Sequence, residues 1–193
     1  PLPVAQLVLL TLAVFAASWG GVGTHMTSTV IGLMTALVLT GVLVVAERGS
    51  KRKLLPGGVF KRPSALGSLY ATSALLAVTV TCTEIFLPLF LQELHGRSPL
   101  QAGYIAAIMS AGWTAAAIVA SAFQAGRRTM AVRMGPMLSL ASMGILVAVM
   151  PWTGAEGDWL PLGLICTALL IGGAGVGLAY PHLSAMVLSV APL

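Results

Sequence analysis

Of the five acidic residues in this chain, one stands where an acid is hardest to keep. Glu84 lies within "TVTCTEIFLPLFLQEL", residues 79–94, in one of the most apolar stretches of the sequence. A charge at the centre of a membrane helix costs about 2.5–3.5 kcal/mol on insertion scales, so such a residue usually faces water or a partner. A carboxyl in that position can take up and release a proton. At 100° per residue, Ser73, Ala77, Val80, Thr81, Pro88 and Leu91 project within about 60° of Glu84. The small and polar members of that face leave room for water, which makes Ser73 and Thr81 candidates for a substrate cavity. Pro88 lacks an N–H and so frees the Glu84 carbonyl four residues back, which makes it a candidate hinge. The alternative is that Glu84 hydrogen-bonds a Ser or Thr on a neighbouring helix and only fixes packing.

Trp113, in "SAGWTAAA", is a second residue out of its usual place, because tryptophan favours the membrane interface. It reads either as an aromatic wall for an apolar or cationic substrate or as simple packing against small neighbours. "GGAGVGLAYP", residues 172–181, looks at first like a nucleotide loop, but no strand precedes it. The Gly173-to-Gly177 spacing instead suits close helix packing in lipid. His182 follows Pro181 and reads as an interfacial histidine, while His25 and His95 fall in outer loops without partners. Cys82 and Cys166 have neither disulfide nor metal spacing and read as small buried hydrophobes. No Ser-His-Asp, paired-carboxylate or metal-ligand pattern occurs, so the reading is of a non-enzyme that needs no cofactor and no metal.

The elements that position these residues follow from composition. The chain has 193 residues, 58% hydrophobic and only 8% charged, and its mean hydropathy is +0.97. A soluble domain is about 25% charged, so this sequence cannot cover a water-facing surface and predicts an all-α integral membrane protein. A membrane helix needs about 20 apolar residues. Six runs qualify, near residues 4–23, 27–46, 66–92, 99–123, 134–152 and 160–181, the last able to continue toward Leu193. They are apolar on every face, unlike the alternating pattern of a β-barrel strand.

The basic residues fall between the spans. Segment 47–63 carries Arg48, Lys51, Arg52, Lys53, Lys61 and Arg62 against Glu47, and segment 124–136 carries Arg127, Arg128 and Arg133. The positive-inside rule puts both loops, and both chain ends, in the cytoplasm. The loops between, with Glu93, His95 and Arg97 and then Glu156 and Asp158, lie outside. Trp19, Trp152 and Trp159 sit near the outer interface. A net charge of +5 is thus a matter of topology, and nucleic acid is not an expected partner. "LLPGGVF", residues 54–60, reads either as a segment on the inner membrane surface or as plain connector. The chain starts at Pro1 and stops at "VLSVAPL", so both ends read as cuts in a longer protein.

"KLLPGGVFKRPSALGSL" and "FLPLFLQELHGRSPLQAGYIAAIMSAGW" resemble the fourteen-helix drug/proton antiporter branch of the major facilitator superfamily, as does "GAGVGLAYPHLSAMVLS". That resemblance implies a partial major-facilitator fold in a plasma or inner membrane. Residues 1–46 would be a two-helix hairpin inserted between bundles, 47–63 a basic cytoplasmic linker, and 64–193 the first four helices of a truncated C-terminal bundle. The N-terminal bundle of the same chain would be a partner, along with protons, lipid and a small-molecule substrate. It further implies proton-coupled export of apolar or cationic compounds by alternating access, with Glu84 as the coupling carboxyl. Two other readings stay open: a facilitator in which Glu84 is structural, and a non-transporting membrane scaffold or receptor subunit. One departure is local: "QAGRRTMAVRMGP" lacks the aspartate that the family's cytoplasmic loop carries.

Overall fold

A computed structural model describes residues 3–22, 25–50, 64–153 and 159–190. Among them are six α-helices, and each is long and apolar enough to cross a membrane. The all-α, six-span architecture is the one the sequence predicts. The chain divides into two compact units, one holding α1 (Val4–Val22) and α2 (Met26–Gly49). The other holds α3 (Ala65–Glu93), α4 (Pro99–Ser121), α5 (Ala125–Val149) and α6 (Leu160–Val190).

The first unit is a tight hairpin. Gly20 and Gly32 let α1 and α2 touch: a Cβ on Gly32 would stand 2.5 Å from the Gly20 Cα. Away from that crossing, the Gln6 side-chain amide donates to Ser50 Oγ at 2.9 Å. Residues 51–63, which hold most of the basic linker and the "LLPGGVF" segment, lie outside the described residues.

Two helices of the second unit, α3 and α4, begin with polar caps. Ser64 Oγ accepts from the Gly67 N–H at 3.1 Å, which satisfies one of the donors a helix start leaves free. α4 opens with a full capping box. Ser98 Oγ accepts from the Gln101 N–H at 3.3 Å. The Gln101 side chain in turn accepts from the Ser98 N–H at 3.1 Å, and Pro99 occupies the first turn. Much of "SPLQAG" is therefore helix-start chemistry. Gly96, with φ +59°, completes the turn from α3 in a conformation that other residues rarely adopt.

α6 is the axis of this unit, with α4 and α5 packed closely along it. Its glycines serve two faces. A Cβ on Gly173 would run into the backbone of α4 at Met109, and one on Gly177 into the backbone at Trp113. On the other face, a Cβ on Gly175 would stand 2.6 Å from the Gly135 carbonyl of α5. Ser142 of α5, fully buried, donates to the Ala168 carbonyl of α6 at 2.6 Å. Ile165, Ala168, Leu169, Val176 and Ala179 have no exposed surface.

One boundary differs from the sequence reading. α5 starts at Ala125 instead of near residue 134, so Arg127, Arg128 and Arg133 stand on a helix and not in a loop. Arginine is a good helix former, and nothing between 125 and 134 breaks the pattern. Hydropathy marks where lipid begins, which is a different place from where the helix begins. α6 runs through Pro181 to Val190, the continuation toward Leu193 that the sequence allowed. Proline removes one hydrogen bond but does not end a helix that its neighbours hold.

The two-faced packing gives a test. Gly173→Ala overpacks the α4 contact and should lower stability by about 1–3 kcal/mol. Gly163→Ala on the same helix, where a Cβ meets nothing within 4 Å, should be nearly neutral. Thermal unfolding of the two variants in detergent, side by side, checks this.

Candidate functional site: the Glu84 face of α3 and the Trp113–Tyr180 pair

α3 buries one stripe and exposes the rest. Leu66, Leu76, Val80, Thr83, Leu87 and Leu91 form the stripe, at the spacing of a helix face. Thr83 is held there by donating to the Thr79 carbonyl at 2.8 Å, with the Met143 sulfur 3.7 Å away. Glu84 lies beside this stripe and is exposed. It stands five residues past the helix midpoint at residue 79, about 7.5 Å toward the end where α4 begins.

The face read as a cavity wall is divided. Val80 and Leu91 are buried in the core. Ser73 and Pro88 are half-buried, while Ala77, Thr81 and Glu84 are exposed. The Ser73 hydroxyl is spent within its own helix, donating to the Leu69 carbonyl at 2.9 Å. The Gln92 amide donates to the Pro88 carbonyl at 3.0 Å. Among the described residues Glu84 has no hydrogen bond or ion pair, so no Ser or Thr there holds it.

Trp113 is half-buried on α4 and packs against Tyr180 of α6, ring centroids 5.9 Å apart and planes tilted by 49°. Gly177 admits the Trp113 backbone and so sets the distance of this pair. Two half-buried rings of this kind offer aromatic faces to an apolar or cationic guest. The sequence singled out Trp113 but not Tyr180, because the pairing joins residues 67 positions apart. Neither hydrogen bond nor ring contact links Trp113 to Glu84, Thr81 or Ser73 among the described residues.

The arginines of α5 have separate settings. Arg128 Nε donates to the Phe123 carbonyl at 3.0 Å. Arg127 lines a cleft of about 360 Å³ with Phe123, Met130 and Leu178. Arg133 lines a different cleft, between α3 and α5.

One histidine reading needs correction. His95 is not without a partner: its Nε2 lies 3.0 Å from the Met150 carbonyl at the end of α5. The neighbouring Arg97 guanidinium lies over the Trp159 ring at 5.3 Å. The α3–α4 turn is thereby tied to α5 and to the approach to α6. His182 is buried within the protein, stacked on Phe123 at 6.2 Å between centroids. Cys82 is exposed and Cys166 half-buried, so neither is a buried hydrophobe of the core.

No protein-family model matches the chain, and no solved structure matches it. Curated relatives do. A probable multidrug-efflux transporter, found in two strains of Mycobacterium tuberculosis, is 30% identical over 185 residues. That match takes in 94% of this chain and 38% of the relative. The tetracycline resistance determinant of Streptomyces rimosus is 30% identical over 184 residues, 95% of this chain and 51% of the relative. The chain thus spans between 38% and 51% of the length of these relatives.

The exposure pattern on α3 predicts a labelling pattern. In a protein freed of its native cysteines, Ala77→Cys and Thr81→Cys should react with a water-soluble maleimide in membranes. Val80→Cys and Leu87→Cys should stay unreactive. Equal protection at all four positions would mean that lipid or protein covers the Glu84 side.

Proposed function

We propose that this chain forms part of a secondary active exporter, a drug-efflux transporter that moves small apolar or cationic compounds by alternating access against a flow of protons. One observation carries the reading. An exposed carboxyl without a partner among the described residues stands close to the middle of an otherwise apolar span. In hydrocarbon that arrangement is costly, and it becomes tolerable where the carboxyl meets water or exchanges a proton. The 30% identity to a probable multidrug-efflux transporter over 94% of the chain supports the same reading.

In this mechanism Glu84 takes a proton from the outer side and becomes neutral. The neutral form crosses the occluded state at lower cost, and release to the inner side restores the charge. Pro88 gives α3 a place to bend, since the Glu84 carbonyl has no N–H from position 88 to hold it. The Trp113–Tyr180 pair supplies an apolar, cation-accepting wall for the substrate. Thr81 and Ser73 flank the carboxyl on the same helix. The basic residues of segment 47–63 and of early α5 face the cytoplasm under the positive-inside rule. The second bundle that alternating access requires belongs to the same polypeptide, and α1 and α2 are the hairpin between the two.

The test uses the protein made from its complete reading frame, in inverted membrane vesicles. Glu84→Gln should abolish drug-driven proton flux while drug binding persists. Wild-type flux in that variant would reduce Glu84 to a packing residue and refute the coupling role.

A further inference from the structure

α3 and α5 run side by side in the second unit yet meet at few points. Two clefts fill the gap between them. The first, about 600 Å³, reaches from Ser68 to Thr79 on α3 and from Val132 to Met143 on α5. The second, about 300 Å³, continues from Cys82 to Phe90 and from Leu146 to Met150. From Ser68 to Phe90 the seam is about 33 Å long at 1.5 Å per residue. That is close to the roughly 30 Å of a hydrocarbon core. The seam therefore runs the depth of the membrane.

Its polarity is graded. Arg133 lines the first cleft, is exposed, and has no hydrogen bond or ion pair among the described residues. Six residues further along α5, Ser139 is buried, 4% exposed, and its Oγ is turned to α6, where a Cβ on Gly175 would stand 2.8 Å from it. The other hydroxyls of the cleft are committed to their own helix: Ser68 donates to the Ser64 carbonyl, Thr72 to Ser68 and Thr79 to Leu75. The second cleft is almost wholly apolar, with Phe86 and Phe90 on one wall. No carboxylate lines either cleft, so a cationic compound finds no counter-ion there.

A cation at one end, with hydroxyls already committed to the protein and only hydrocarbon beyond, is the complement of an anionic amphiphile. We propose that the α3–α5 seam is a binding site for an anionic phospholipid. Its phosphate pairs with Arg133. One acyl chain lies along the seam into the second cleft. Pairing a phosphate with an arginine at the mouth of an interhelical groove follows the usual chemistry of lipid headgroup recognition. The site is separate from the Glu84 face and does not depend on the export reading.

The experiment is native mass spectrometry of the protein from its complete reading frame, offered phosphatidylglycerol and phosphatidylcholine in equal amounts. The wild type should retain phosphatidylglycerol preferentially. Arg133→Gln should weaken that retention about fivefold, the weight of one arginine at an anionic surface. Arg127→Gln, in a different cleft, should leave it unchanged and so controls for general charge and folding. Leu140→Trp, which fills the seam, should lower retention of both lipids. Equal retention of the two lipids by the wild type, or undiminished phosphatidylglycerol in Arg133→Gln, would overturn the site. So would protection of Thr79→Cys from a bilayer-soluble maleimide in lipid-free micelles, because another helix would then occupy the seam.

Discussion

In hydrocarbon, helices gain nothing by hiding apolar side chains from one another, so their association rests on how closely their backbones approach. α6 makes that approach twice. Gly173 and Gly177 admit α4, and Gly175 with Gly135 admits α5. Because 3.6 residues make a turn, glycines at 173 and 177 share a face, and Gly175 looks the other way. One helix thereby fastens two neighbours, and half of its most apolar window is buried, more than in any other span. α3 has no such glycine ladder, and it shows the consequence in the two clefts along its border with α5.

A second constraint shapes the polar groups. Without water, each hydroxyl in a span must find a partner in the protein. The threonines and serines of α3 and α4 mostly do so by donating to the carbonyl four residues back, as Thr72, Ser73, Thr79, Thr83 and Thr114 do. Ser142 instead bridges two helices. Against this economy the exceptions carry information. Glu84 and Ser139 have no partner among the described residues, and they lie on different faces of the unit. The Glu84 carboxyl is the ground for the proposed proton exchange, whereas the Ser139 hydroxyl is shut between α5 and α6.

Six helices were legible from hydropathy alone, because runs of about 20 apolar residues have no other stable use. The packing role of Gly173 and Gly177 was legible from spacing. The second glycine face was not, since Gly175 takes its meaning from Gly135 on a distant helix. The start of α5 was misjudged because arginines that lower hydropathy do not interrupt a helix. The helical wheel found the Glu84 face, but it could not tell that Val80 and Leu91 turn into the core while Thr81 stays out. That division depends on where α6 and α4 stand. The partners of His95, His182 and Trp113 were equally out of reach, being contacts between helices. The α3–α5 seam is a shape and leaves no pattern in the sequence.

The proposed exchange of a proton at Glu84 requires that its carboxyl be protonated at some point inside the membrane. Infrared difference spectroscopy of the full protein in lipid, wild type against Glu84→Gln, reads that protonation state. Proton exchange at Glu84 predicts a protonated-carboxyl band in the wild type that is missing in the variant. A wild-type spectrum identical to that of Glu84→Gln at every pH would contradict it.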